Sequence, residues 1–193
     1  MATISANALG VYQTASGQTS PLEVITSITV AAAVVPSGFP TGGYAIIIDS
    51  SGDFVGIGQE TSGSFTDVTT SALTLMSLAT STTLEATNTV NETVARNGTD
   101  GSTTYIVGGA MSWSMSIDGL LDLSSAGVGT STNVMDAARS KEYVIIKFDT
   151  GSQTQYIGQA LIDSVSISGG VDDIATYSAS FNGNGDLYKY TQS

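Results

Sequence analysis

Serine and apolar residues alternate along MSWSMSI (111–117). Met111, Trp113, Met115 and Ile117 fall on one side, and Ser112, Ser114 and Ser116 on the other. Successive side chains of a strand point to opposite faces, so the pattern predicts a strand with one apolar face. YVIIKF (143–148) is apolar on nearly both sides and predicts a central strand, followed by a further strand over QYIGQALI (155–162). DSVSIS (163–168) alternates again with Val165 and Ile167 inward. In ATYSASF (175–181), Ala175, Tyr177, Ala179 and Phe181 oppose Thr176, Ser178 and Ser180.

One segment breaks the two-residue period. In NVMDAARSKEY (133–143), Asn133 is placed to cap a helix with Asp136 three residues on, and Arg139 and Lys141 near its C-terminal end favour the helix dipole. The prediction is about two turns laid against a sheet. The N-terminal half is less regular. ITSITVAAAVV (25–35) and GYAIIID (43–49) read as strands separated by Pro36, Pro40, Gly42 and Gly43. SSGDFVG (50–56) reads as a turn into a short strand, and 73–102 as one extended strand passing into a loop at Asn97-Gly98 and Asp100-Gly101. Many strands and one helix predict an all-β, β-rich sandwich or barrel. With no internal repeat and no linker, one domain over 1–193 is expected, with a possible insertion at 31–70 and a polar arm at 80–104.

Composition narrows the chemistry. The chain has no cysteine and no histidine. Disulfides, thiolate zinc sites and imidazole-dependent nucleophilic catalysis are thereby excluded, and any metal would be a hard cation held by oxygens. The net charge is −12, with only Arg96, Arg139, Lys141, Lys147 and Lys189 basic, so no footprint for gripping phosphates exists. No apolar run approaches the roughly 20 residues of a membrane-spanning helix, and MATISANALG has neither the basic nor the apolar segment of a secretory signal. The sequons at Asn91 and Asn97 are therefore read as chance in a Thr-rich chain.

Each candidate motif has a plainer reading. Asp149-Thr150-Gly151 matches the catalytic turn of an aspartic protease, which would need a second such Asp from another copy of the chain. The same residues suit a tight turn joining two strands, and that is the favoured reading. NGNGD (182–186) and Asp172-Asp173 miss calcium-loop spacing and read as turns and solvated carboxylates. GVGTST (127–132) lacks the third Gly and the Lys of a phosphate-binding loop. Trp113, Tyr177 and Phe181 would make a stacking platform, but the alternation assigns them to the core. The sequence thus nominates no catalytic, cofactor-binding or metal-binding residue.

From Tyr105 to Lys189 the order GGAMSWSMSIDGLLDLSS, NVMDAARSKEYVIIKF and YIGQALIDSVSISGGVDDIATYSASFNGNGDLYK resembles the major tail (tail tube) proteins of long-tailed bacteriophages. SANALGVY (5–12) is similar to that family's start. The resemblance implies a tail-tube-type β-sandwich or barrel whose copies form rings, six-membered in that family, stacked into a tube. It implies as partners other copies of the chain, a tape-measure protein, and tail terminator and baseplate or tip proteins, with double-stranded DNA passing unbound. It places the protein in the virion tail after assembly in the host cytoplasm, with no cofactor and no membrane partner. Two alternatives are another β-rich virion or surface protein, such as a decoration, connector or adhesin subunit, and a dimeric aspartic protease using Asp149.

Overall fold

The structure is a computed structural model that describes residues 10–13, 19–69, 74–75, 79–96, 102–120, 131–150, 154–169 and 175–191. Among these residues, eleven strands run β1 (Gly10–Gln13), β2 (Glu23–Thr26), β3 (Tyr44–Ile48), β4 (Phe54–Thr61), β5 (Ser64–Asp67), β6 (Thr74–Leu75), β7 (Ala79–Arg96), β8 (Ser102–Leu120), β9 (Tyr143–Asp149), β10 (Thr154–Ser168) and β11 (Thr176–Thr191). One helix, α1 (Ser131–Ser140), lies between β8 and β9. The fold is all-β, as the alternation predicts.

A seven-stranded sheet has the order β6-β1-β9-β10-β11-β8-β7, and a four-stranded sheet the order β2-β3-β4-β5. Strand β9, the expected central strand, divides its apolar residues between two cores. Val144 and Ile146 join Trp113, Met115, Ile117, Tyr177, Ala179 and Phe181 on one face, where Val134 and Ala137 of α1 also pack. Ile145 points the other way, to Ile46, Phe54, Ile57, Ile157 and Tyr188. The small sheet thus covers part of the second face of the large one. Its own outer side packs Ala45, Ile47 and Phe65 against Val30 and Ala33.

Several boundaries differ from the sequence pattern for local reasons. The strand expected over 25–35 ends at Thr26, and Val30–Ala32 form a 3-10 turn whose N-cap is Thr29, accepting from the Ala32 N–H at 3.2 Å. Helix α1 begins at Ser131, two residues before the expected cap Asn133, and its 10 residues make nearly three turns, about one more than expected. It closes with Lys141 at φ 54°, the Glu142 N–H reaching the Ala137 carbonyl at 3.0 Å and the Lys141 N–H the Ala138 carbonyl at 3.2 Å. That is a left-handed C-cap made without glycine.

The segments 155–162 and 163–168 are one strand. A register shift between Ile162 and Ser164 makes Asp163 an extra residue, a β-bulge that moves the inward positions from Ala160 and Ile162 to Val165. NGNGD does not reverse the chain either. It lies within β11 as an irregularity between the pairs Ile157–Tyr188 and Gln159–Asn184, with Gly185 at φ 78°. The turn at Asn97-Gly98 and Asp100-Gly101, the pair Asp172-Asp173 and residues 127–130 lie outside the described residues.

Candidate assembly surface

Trp113 organises the centre of the large sheet. A Cβ at Gly183 would sit 2.2 Å from its indole ring, and one at Gly158 2.5 Å away, so only glycine at these positions leaves a slot for the ring. The indole N–H donates to the Gly185 carbonyl at 3.1 Å, a carbonyl presented by the bulge. Residues of NGNGD, read from the sequence as a turn, therefore hold the tryptophan. Trp113, Tyr177 and Phe181 are all buried, as core residues rather than as a platform.

Gln159, next to Gly158, is buried and ties the two sheets together. Its Oε1 accepts from the Leu22 N–H at 2.8 Å and its Nε2 donates to the Leu22 carbonyl at 3.1 Å. The carboxamide acts here as one more rung of backbone pairing, just before β2. This contact joins residues 137 apart in sequence, and no local pattern announces it.

Beyond the small sheet, the second face of the large sheet is lined by small hydroxyls. Register places Thr83, Ser116, Ser180 and Ser164 in one row across β7, β8, β11 and β10. The next row is Ser81, Asp118, Ser178 and Ser166. On the other side Glu85 meets Ser114, which meets Asn182. Ser164 and Ser180 hydroxyls hydrogen-bond at 2.7 Å, and the Ser180 hydroxyl also reaches an Asp163 carboxylate oxygen at 3.4 Å. The charged side chains of these rows, Glu85 and Asp118, and the adjoining Asp163 are exposed carboxylates, and no row position is basic. At one end the face opens into a cleft of about 270 Å³ lined by Thr80, Asp118, Ser166, Ser168 and Ser178. Among the described residues, no three carboxylates converge to hold a metal ion.

Asp149 ends β9 and pairs with Gln155 of β10, whose Nε2 donates to the Asp149 carboxylate at 2.8 Å. Thr150 donates its hydroxyl to the Thr154 carbonyl at 2.7 Å. These contacts place Asp149 at the end of β9 and Thr150 just after it, facing the start of the antiparallel strand β10, with Gly151 and residues 152–153 outside the described residues. Neighbouring Lys147 is half-buried. Desolvation lowers its pKa, and the charge of Asp149 partly restores it. Burial raises the pKa of Tyr177, and Asp118 adds to the effect; among the described residues the Tyr177 hydroxyl has no hydrogen-bond partner.

The tract expected to be a polar arm is a ribbon. Strands β7 and β8 pair from Ala79–Gly119 out to Arg96–Ser102, whereas β11 pairs with β8 only over Ser114–Leu120. The outer half is therefore two strands alone. It is not uniformly polar: Val90, Ile106 and Met111 are exposed there. The Thr-rich composition of β7 hid this, because two of the three apolar residues lie on β8.

The fold defines an all-β protein with one hydroxyl-lined sheet face and a projecting two-stranded ribbon. Residues 59–189 match the phage tail tube protein family, more than half of the chain, and the chain belongs to that family. Solved structures with the same fold include a chain from the tail of an empty gene transfer agent particle refined with helical and C6 symmetry. It has a TM-score of 0.54 and 15% identity, over 63% of this chain and 88% of that one. A chain from the virion of a native gene transfer agent particle matches at TM-score 0.53 and 16% identity, over 62% and 89%. The SPP1 tail tube matches more weakly, at TM-score 0.46 and 16% identity over 66% and 73%. A search of curated proteins found no match. The protein is a tail tube subunit, a structural component of the virion tail.

Proposed function

We propose that the chain forms six-membered rings that stack into a tube, with the hydroxyl face of β7, β8, β11 and β10 turned to the bore. The observation that carries this is the composition of that face: rows of Ser and Thr with Glu85, Asp118 and Asp163 as its carboxylates and no basic residue. Such a wall is wetted yet offers DNA no cation. At physiological salt its repulsion extends about 8 Å, enough to keep a duplex from adhering across a narrow gap. The C6 symmetry of the gene transfer agent tail supports the ring size.

Rings of this kind form around a tape-measure protein in the host cytoplasm, end on terminator and baseplate or tip proteins, and later conduct DNA during ejection. The chain has no catalytic part in this. The whole chain acts as one domain, with the small sheet, including the 31–70 segment, as an elaboration packed on the large sheet. The ribbon, which covers the expected arm at 80–104, contacts a neighbouring subunit.

Electron microscopy of the concentrated protein tests the proposal, with hollow tubes or stacked rings expected and compact monomers at all concentrations counting against it. In assembled tubes, E85K/D118K should convert a wall that releases duplex DNA at ordinary ionic strength into one that retains it. Tight DNA binding by the wild-type tube would contradict the bore assignment. Asp149→Asn should leave assembly unchanged.

A further inference from the structure

The large apolar side chains that the fold leaves exposed gather in two places. Val90, Ile106 and Met111 are 55%, 70% and 40% exposed. The register sets Asn88 opposite Met111, Val90 opposite Gly108 and Glu92 opposite Ile106. All three apolar side chains therefore stand on one side of the ribbon, the side that farther in carries Leu84, Trp113 and Met115 into the core. Among the described residues, nothing covers the core face of the sheet where it runs on past the core. The second place is the outer layer. Ile28 and Val34 are 84% and 79% exposed on either side of the 3-10 turn, and Ala31 and Ala32 are exposed between them; Val24, 41% exposed on the edge strand β2, pairs with Ile46 and faces the opposite side of the small sheet. ITVAAAVV (28–35) contains no charged residue. The other large exposed apolar residue, Ile167, stands alone near the end of β10.

We infer that the apolar side of the β7–β8 ribbon docks on the Ile28–Val34 knob of another copy of the chain. The inference rests on the ring-and-tube reading above. A ribbon of two strands is marginal alone, so its bare apolar side needs a cover. Ribbon meeting ribbon would be an isologous contact, which is satisfied in a two-fold pair and goes no further. A tube with distinct ends grows by joining unlike patches, so the ribbon must meet a different surface of its neighbour. Among the described residues the uncharged knob at 28–34 is the surface with matching chemistry.

The cysteine-free sequence makes the test clean. Ile106→Cys, Val34→Cys and the double variant are assembled and treated with a short bismaleimide, then separated under denaturing conditions. The expected result is a ladder of multimers from the double variant and little product from either single one. Dimers from Ile106→Cys alone, at the yield of the double variant, would show ribbon meeting ribbon and overturn the inference. Tubes that form normally but give no ladder also overturn it while leaving the tube reading intact; absence of tubes and rings from the wild-type protein overturns both. As a second measurement, Val34→Asp should raise the concentration needed for assembly about tenfold or more, the loss of one buried valine contact. Ile167→Asp should not. Equal effects from the two would contradict the docking.

Discussion

Gly183→Ala should strain the centre of the molecule. The added Cβ would lie 2.2–2.4 Å from Cε2, Cδ2 and Nε1 of Trp113, and real Cβ contacts at that range essentially never occur. The indole must move by more than 1 Å to restore roughly 3.5 Å contact. It is walled on another side by Gly158, where the ring already occupies the space of a Cβ. Overpacking of this kind costs about 1–3 kcal/mol. Displacing the indole also breaks the 3.1 Å bond to the Gly185 carbonyl, adding about 1 kcal/mol. The sum, about 2–4 kcal/mol, lowers the melting temperature by roughly 5–15 °C for a chain of this size. Urea unfolding followed by the fluorescence of the single tryptophan reads both the stability and the displacement of the ring. Gly108→Ala, which would meet nothing within 4 Å, is the control and should change stability by less than about 0.5 kcal/mol. Repeating Gly183→Ala in a Trp113→Phe background, followed by circular dichroism, should recover at least about 1 kcal/mol of its cost. A Gly183→Ala protein as stable as wild type, or one equally destabilised with Phe at 113, would refute the slot argument.

Other changes have defined outcomes. Gln159→Ala should destabilise by about 2–4 kcal/mol in urea unfolding, because it leaves the N–H and carbonyl of buried Leu22 without their partners. Lys141→Gly should stabilise by about 0.5–1 kcal/mol, since the helix ends there at φ 54° and glycine adopts that conformation without strain. Tyr177 has its pKa raised above 10.0, so folding holds it neutral while the unfolded chain ionises, and stability falls as pH rises above about 10. Tyr177→Phe removes the unpartnered hydroxyl; it should raise stability at neutral pH by about 1 kcal/mol and flatten the alkaline loss without abolishing it, because Tyr188 is shifted the same way.

Much of the C-terminal half is legible because its strands are amphipathic by simple alternation. Trp113, Met115, Ile117, Tyr177, Ala179 and Phe181 are all core, as their spacing predicts. Errors arise where the period changes within a continuous strand. Asp163 looks like the start of a new element because the apolar parity switches across it, and Asn182–Asp186 looks like a turn because its composition is that of turns. Asp163 is one extra residue in β10 and switches the side-chain phase, whereas Gly185–Leu187 oppose Gly158 alone, two extra residues in β11 that keep the phase; in both places the neighbouring strands go on pairing. In the N-terminal half, the run VAAAVV has strand-forming composition, yet Thr29 supplies a cap that starts a 3-10 turn. Local hydrogen bonding there decides against the average propensity.

The same irregularities explain why the recognisable order of residues is recognisable at all. The tryptophan strand, the Gly-Gln pair and the Asn-Gly pair are far apart in the chain, but Trp113 lies against Gly158 and Gly183, and Gln159 joins that strand to Leu22. The bulge in β11 turns the Gly185 carbonyl toward the indole. A ring lodged between two glycines fixes β8 across β10 and β11, which sets the direction in which β8 leaves the sheet to become the ribbon. A small change at the base is multiplied along the ribbon, since ten β7–β8 residue pairs lie beyond Glu85–Ser114, each adding roughly 3.4 Å of strand. The residues on which the resemblance rests, Trp113, Gly158 and Gly183 among them, are thus packing residues at the base from which the ribbon leaves the sheet.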